Sequence, residues 1–338
     1  MTPQLALVIH KLQIPTDAFV RSVAALCADP RFDTVLVLVA GAARARGPRN
    51  PLVWEESAKL LAAAVGSAKL ACLPLVDSLY DDGMWVANVR RCVDTLSGMR
   101  NLPLDAGYEV TLVAADDGKG RAITRLFPDW THLHTLDKGD TEAALQGFLN
   151  APRPSTVTET VWAGLQVARG LEQVGQAPWR AAEAALGYPI PLQTADAVVI
   201  QSHHVLLARR GPTEAGAGQL CLPGLFLHPH GTALDTALDA AKIKAGLDMP
   251  TGALQGRLRT RQVFDHPGRD PRGWIRTEAF VFELPPSGRF EKAKTGVWTP
   301  LSELHPHTLF ADHFDIIQSC ARGVPSPQDA LLLNMLPL

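Results

Sequence analysis

The N-terminal third of the chain carries four short, mostly apolar runs, Leu5 to Ile9, Thr34 to Val39, Lys69 to Leu75 and Tyr108 to Ala114, and these constrain the fold more than any other feature. Apolar runs with little polar alternation are the pattern of strands buried on both faces. Between them lie stretches with helical periodicity, Asp17 to Ala28, Pro51 to Val65 and Trp85 to Leu96. Strands alternating with helices predict a parallel sheet covered on both faces, because a parallel crossover needs a helix-length connection. The ligand cleft of such a sheet is predicted at the carboxyl ends of its strands.

The texture changes near Asn150. Pro152 and Pro154 break the chain, a helical pattern runs from Val157 to Ala185, and Pro189, Ile190 and Pro191 close it. Residues 151–192 therefore read as a connecting helix and linker after a first domain at 1–150. Beyond them, Ala195 to Gln201 and His204 to Arg210 form a hairpin pattern, followed by a Gly-rich loop and Leu222-Pro223-Gly224. A helical segment at Thr232 to Ala245 and strands at Gln262 to Phe264 and Glu278 to Leu284 complete a second α/β domain at 193–338.

Composition narrows the function classes. With 338 residues, 46% hydrophobic and 20% charged, the chain has enough apolar content for two cores. A formal net charge of -2 offers no global attraction for polyanions, so no nucleic-acid partner is expected. The five cysteines are scattered without a C-x-x-C pair, so buried, reduced thiols are expected rather than disulfides or zinc. Neither a secretory signal nor an apolar run of membrane-spanning length is read, and a cytoplasmic protein without membrane contact is the expectation.

Three ordered motifs in the first domain carry a resemblance. Pro48-Arg49-Asn50-Pro51-Leu52-Val53-Trp54-Glu55-Glu56, Asp77-Ser78-Leu79-Tyr80-Asp81-Asp82-Gly83-Met84-Trp85 and Leu126-Phe127-Pro128-Asp129-Trp130 resemble segments of the bifunctional NMN adenylyltransferase/Nudix hydrolases. The resemblance implies a Rossmann-like nucleotidyltransferase fold followed by a Nudix α/β/α sandwich with a mixed sheet. In that family two histidines after the first strand stabilise phosphate charge. Here Thr16 and Phe19 stand at those positions, His10 replaces a glycine, and Asp17 adds negative charge. The phosphate-gripping I-S-x-T-x-x-R segment is matched by Lys138 to Ala144, which keeps only Thr141, and the G-H-x-K-D segment reads Ala114 to Gly118, with Lys119 or Arg121 as candidate replacement cations.

The second domain resembles the Nudix branch of the same family through its opening hairpin, Arg261 to Gly273, and Phe310-Ala311-Asp312-His313-Phe314. The Nudix box of that family holds Mg²⁺ with glutamates on one helical face. Aligned on Pro223-Gly224 and Gly246-Leu247, its charged positions become Gly231, Asp239, Ala240, Ile243 and Lys244, and its glycine becomes Leu225. No Mg²⁺ site of that type is expected, and Mg²⁺ is expected only if hydrolase activity persists. Asp235 with Asp239 reads as a solvated helix face, and His228 with His230 as a weak metal signal.

No catalytic residue is therefore assigned. Nucleotide-binding candidates implied by the resemblance are Asn50, Trp85, Thr141, Arg261, Asp265, Arg269 and Arg272. For the Arg261 to Arg272 loop two readings stand together: arginines that hold a diphosphate, or a loop fastened by Arg/Asp pairs without ligand. Trp274 reads either as a stacking platform or as an interface cover. The functional expectation is a catalytically silent protein that binds ADP-ribose, an NAD-related nucleotide or a protein partner. The alternative is residual or altered ADP-ribose pyrophosphatase or NMN adenylyltransferase activity. A homo-oligomer is a third reading, hinted at by the apolar tail Ala330 to Leu338.

Overall fold

The computed structural model describes residues 2–100, 102, 107–155, 157–333 and 335. Two units emerge, one made of Met1–Ala163 with Ser326–Leu338 and the other of Gly164–Pro325.

The first unit runs β1 (Gln4–His10), α1 (Asp17–Ala28), β2 (Thr34–Ala40), α2 (Trp54–Val65), β3 (Leu70–Leu75), α3 (Asp82–Met99), β4 (Glu109–Val113), α4 (Gly118–Arg125), β5 (Thr131–Leu133) and α5 (Thr141–Asn150). The strands form one five-stranded sheet in the order β3-β2-β1-β4-β5, with every pairing parallel. The absence of polar alternation is explained by packing. In β2 every residue is buried, with Leu36 and Leu38 facing a cluster with α3 and Phe127, and Val35, Val37 and Val39 facing one with α1 and α2. Short polar side chains cap the helices: Thr16 Oγ1 accepts from Phe19 N at 3.0 Å, Asp81 from Met84 N at 2.8 Å, and Asp117 from Gly120 N at 2.6 Å.

The long helix α6 (Glu159–Leu186) matches the expected connecting helix closely and contains Pro178 without ending there; the boundary between the units falls within it.

The second unit contains β6 (Leu192–Gln201), β7 (His204–Arg209), β8 (Leu220–Cys221), β9 (Gly224–Phe226), α7 (Ala233–Ala245), α8 (Thr251–Gln255), β10 (Leu258–Phe264), β11 (Ile275–Glu283), β12 (Val297–Pro300) and α9 (His313–Cys320). Its seven-stranded mixed sheet runs β10-β11-β6-β7-β12, with β8 on β7 and β9 on β6; β6 and β11 are parallel and the other pairs antiparallel. The helix expected at Thr232 to Ala245 is α7, with Thr232 as its N-cap. Ala237, Leu238, Ala241 and Ala245 of α7 pack with Ala195, Ala197, Val199, Phe280 and Phe282 in one buried cluster.

The last helix, α10 (Pro327–Leu333), belongs to the first unit although the sequence reading assigned it to the second domain. Its Gln328 side chain accepts from Val76 N at 2.7 Å and donates to Pro74 O at 2.9 Å, so its amide pairs with the backbone at the end of the edge strand β3. Leu332 enters the core there, and Met335 packs against the same cluster. Of the tail noted above, Asn334 and Leu336 to Leu338 lie outside the described residues.

None of the five cysteines is in a disulfide; Cys27, Cys92 and Cys221 are buried, whereas Cys72 and Cys320 are only partly so. Among the described residues no helix is long and apolar enough to cross a membrane.

Candidate functional site

In the first unit the strand order reverses between β1 and β4, which is where this topology is expected to place a ligand. His10 ends β1, with its ring edge-on to Phe19 at 4.5 Å. Burial, with a contribution from the Lys138 charge, lowers its pKa to about 4, so the imidazole is neutral at pH 7.

Thr16 both caps α1 and donates from Oγ1 to Lys138 O at 2.7 Å. Gly139 follows with φ +61, and a Cβ on it would lie 2.8 Å from Thr16 Oγ1, so the loop entering α5 rests directly on Thr16. Lys138 Nζ is 2.7 Å from Asp117 Oδ2. Thr16 thus ties α1 to the loop before α5, at a position where the resemblance places a phosphate-stabilising histidine. Phe19, at the second such position, is completely buried. Of the candidate replacement cations, Arg121 pairs with Asp116 at 3.2 Å, and both are largely exposed.

A second group stands beside it. Lys11 has its pKa lowered by burial, Asp77 opposes that shift, and Arg44 and Arg49 add to it. Gly41 takes a left-handed φ of +77 beside this group, a conformation that favours glycine. Asn50 closes a turn with Gly47 through reciprocal backbone hydrogen bonds of 2.9 and 3.1 Å, and its Oδ1 is shielded from solvent with no hydrogen-bond partner. Trp85 lies on α3 with its ring 5.9 Å from Phe127, and Thr141 is exposed at the start of α5.

In the second unit α7 carries the positions that the resemblance assigns to metal-binding glutamates. Ala240 is fully buried, Ile243 is 64% exposed, and Lys244 Nζ is 3.5 Å from Glu214 Oε1. Asp235 lies on an exposed helix face, as expected, and also forms a capping box with Thr232, its Oδ2 accepting from Thr232 N at 2.9 Å. Asp239 lies 3.4 Å from His228 Nε2. Among the described residues no three His, Cys, Asp or Glu side chains gather so as to hold a metal ion. The Mg²⁺ that a Nudix-type fold implies does not fit this helix, because a hard cation needs several oxygen ligands and meets a lysine here.

The arginine loop is divided. Arg269 is buried and donates through Nε and Nη2 to both carboxylate oxygens of Asp312, each at 2.8 Å. Arg272 grips Asp270 at 2.9 and 2.7 Å. Burial opposes ionisation of Asp270, but the Arg272 hydrogen bonds and charge hold its pKa below the usual value. Arg272 also packs on α6, where a Cβ on Gly175 would lie 2.9 Å from its Cγ. Arg261 sits away from these pairs on β10, exposed and 3.1 Å from Glu278, and Asp265 is exposed just beyond that strand. The Trp274 indole nitrogen is buried without a hydrogen-bond partner.

Beneath the loop lies Asp196 on β6, which accepts from Thr277 Oγ1 at 2.7 Å. Burial raises its pKa to about 6 despite the nearby Arg269 charge. His313 accepts from Leu222 N at 2.8 Å through Nδ1, and burial, then the Arg269 and Arg210 charges, keep its pKa well below the usual value. Sequence reading did not single out Arg44, Asp196, Glu214 or Phe226. Their only signals were a carboxylate in an apolar strand and charged or aromatic residues bordering Gly-rich turns.

No family model matches the chain. Among solved structures, a bifunctional NMN adenylyltransferase/ADP ribose pyrophosphatase from Francisella tularensis, complexed with AMP and a manganese ion, superposes with a TM-score of 0.77 at 18% identity, covering 94% of this chain and 98% of that one. A second structure described in the same terms, from the same organism, gives 0.78 at 17% identity, covering 96% and 100%. The chain therefore has the two-domain α/β fold of these bifunctional NMN adenylyltransferase/ADP ribose pyrophosphatase structures, a parallel-sheet unit and a mixed-sheet Nudix-type unit.

Proposed function

We propose that this chain is a nucleotide-binding protein that uses the two-domain scaffold without performing adenylyl transfer or diphosphate hydrolysis. The observation that carries the reading is the face of α7, where Ala240, Ile243 and Lys244 stand in place of carboxylates and no metal-binding group assembles among the described residues. The first unit supports it, since Thr16 is tied to Lys138 O and Phe19 is buried at the positions assigned to phosphate-stabilising histidines. Loss of one such donor costs roughly 2.7–4 kcal/mol of transition-state stabilisation, and both sites lack several.

Ligand binding is favoured by the shielded, unpartnered Asn50 Oδ1 at the carboxyl edge of the parallel sheet, an acceptor suited to an N–H of a bound molecule. ADP-ribose or an NAD-related nucleotide is the proposed ligand class, and a regulatory role in the cytoplasm the proposed use. A second reading, altered hydrolase chemistry, has one observation in its favour, the His228 and Asp239 pair at 3.4 Å on the α7 side.

Calorimetric titration with ADP-ribose in Mg²⁺ buffer separates the readings. Saturable heat without products is the expected result. Sustained heat with release of AMP overturns silence and turns attention to His228. A flat trace with ADP-ribose, NAD, NMN and ATP in turn rejects nucleotide binding altogether.

A further inference from the structure

In the second unit, Arg210 follows β7 with its guanidinium stacked 3.8 Å over the Phe310 ring and its Nε donating to Ala215 O. It is half-buried, and the acids that act on its charge are Glu214 and Asp270, neither of them in a close side-chain clamp with it among the described residues. The loop that follows is drawn around Phe310: Gly216 has φ +73, and a Cβ there would collide with that ring at 2.3 Å. Glu214 in the same loop accepts from Gly211 N at 2.7 Å and reaches Lys244 on α7 only at 3.5 Å. Arg272 lies 5.5 Å from the centre of the same Phe310 ring, but Asp270 already neutralises it. Its guanidinium covers Phe226 at 5.6 Å, and that ring remains 46% exposed.

The balance is two cations, Arg210 and Lys244, around one carboxylate that is tethered to its own loop. A diphosphate carries its charge on adjacent phosphoryl groups, and a planar guanidinium with a mobile ammonium satisfies both without a divalent ion.

We propose that Arg210 and Lys244 form a metal-independent site for the diphosphate group of a nucleotide, with Glu214 as the counter-charge that the ligand displaces from Lys244. The proposal rests on the nucleotide-binding reading above and adds the site and its independence of metal. Added Mg²⁺ works against this site, since it neutralises the phosphate oxygens that the two cations attract.

The test is titration of the full chain with ADP-ribose in EDTA and again in excess Mg²⁺, for the wild type, Lys244→Glu and Lys244→Arg. Thermal melts establish that each variant is folded; Lys244 is partly exposed. The expected result is binding in EDTA, weakened by Mg²⁺, weakened at least tenfold by Lys244→Glu and largely retained by Lys244→Arg. Binding that requires Mg²⁺, or that Lys244→Glu leaves unchanged, overturns this site while the nucleotide-binding reading stands. Absence of binding by any nucleotide in either buffer defeats both. A requirement for intact diphosphate is checked with AMP, which is expected to bind at least tenfold more weakly; equal binding rejects the diphosphate assignment.

Discussion

At the residue scale, the second unit is governed by charges held out of water. Arg269 and Asp312 have side-chain exposures of 2% and 1%, so neither can be removed without stranding the other. Arg269→Ala is expected to lower the unfolding free energy by about 3–5 kcal/mol in a urea titration. Arg269→Lys is expected to recover little, since an ammonium cannot span both carboxylate oxygens. Asp196 gives a pH signature of opposite sign to ordinary carboxylates. Its pKa is raised to about 6 from 3.8, so between those values the folded chain keeps a proton that the unfolded chain releases. Its contribution to stability is therefore fully present near pH 4, declines as pH rises to about 6, and is flat above. Relative to wild type, Asp196→Asn should gain about 3 kcal/mol across that window in unfolding experiments at stepped pH. A constant difference would show that the carboxyl does not titrate there.

At the element scale, periodicity located the larger elements and polar chemistry set their ends. The strands β1, β2, β3 and β4 lie at the four apolar runs, and α1 coincides with Asp17–Ala28. The start expected at Pro51 moves to Trp54 because Glu56 Oε2 accepts from Val53 N at 3.1 Å, which fixes the first turn. The strands β5, β8 and β9 were not legible, since two or three residues carry too little pattern. The helix α10 was misplaced for a different reason: its apolar residues reveal that it packs, but not on which unit. Gln328 is fully buried, and Gln328→Ala would leave Val76 N without its side-chain partner and Pro74 O with only Cys92 Sγ at 3.5 Å. A loss of about 2–4 kcal/mol is expected, read as a lower melting transition of the first unit. An unchanged melt would mean that α10 is not anchored there.

At the scale of the whole molecule, the chain leaves the first unit at Ala163 and re-enters it at Ser326, so the second unit is an insertion between two parts of the first. The metal question also belongs here, because a divalent ion that bound the native fold would raise its melting temperature by mass action. Millimolar Mg²⁺ or Mn²⁺ is expected to shift the melt by less than about 1 °C relative to EDTA; a larger rise would reveal a site that the α7 face does not offer. Sequence alone determined the two α/β units and the parallel sheet of the first, because those follow from period and motif order. Only the tertiary structure decided how the charges are spent. Arg269, Asp270, Arg272 and Asp312 are separated by up to 43 residues, yet two of the arginines end in carboxylate clamps. Arg210 ends over Phe310 instead, with Glu214 and Asp270 near enough to act on its charge but neither clamping it. Ion pairing depends on a few ångströms of side-chain placement, which long-range packing sets and local sequence does not carry.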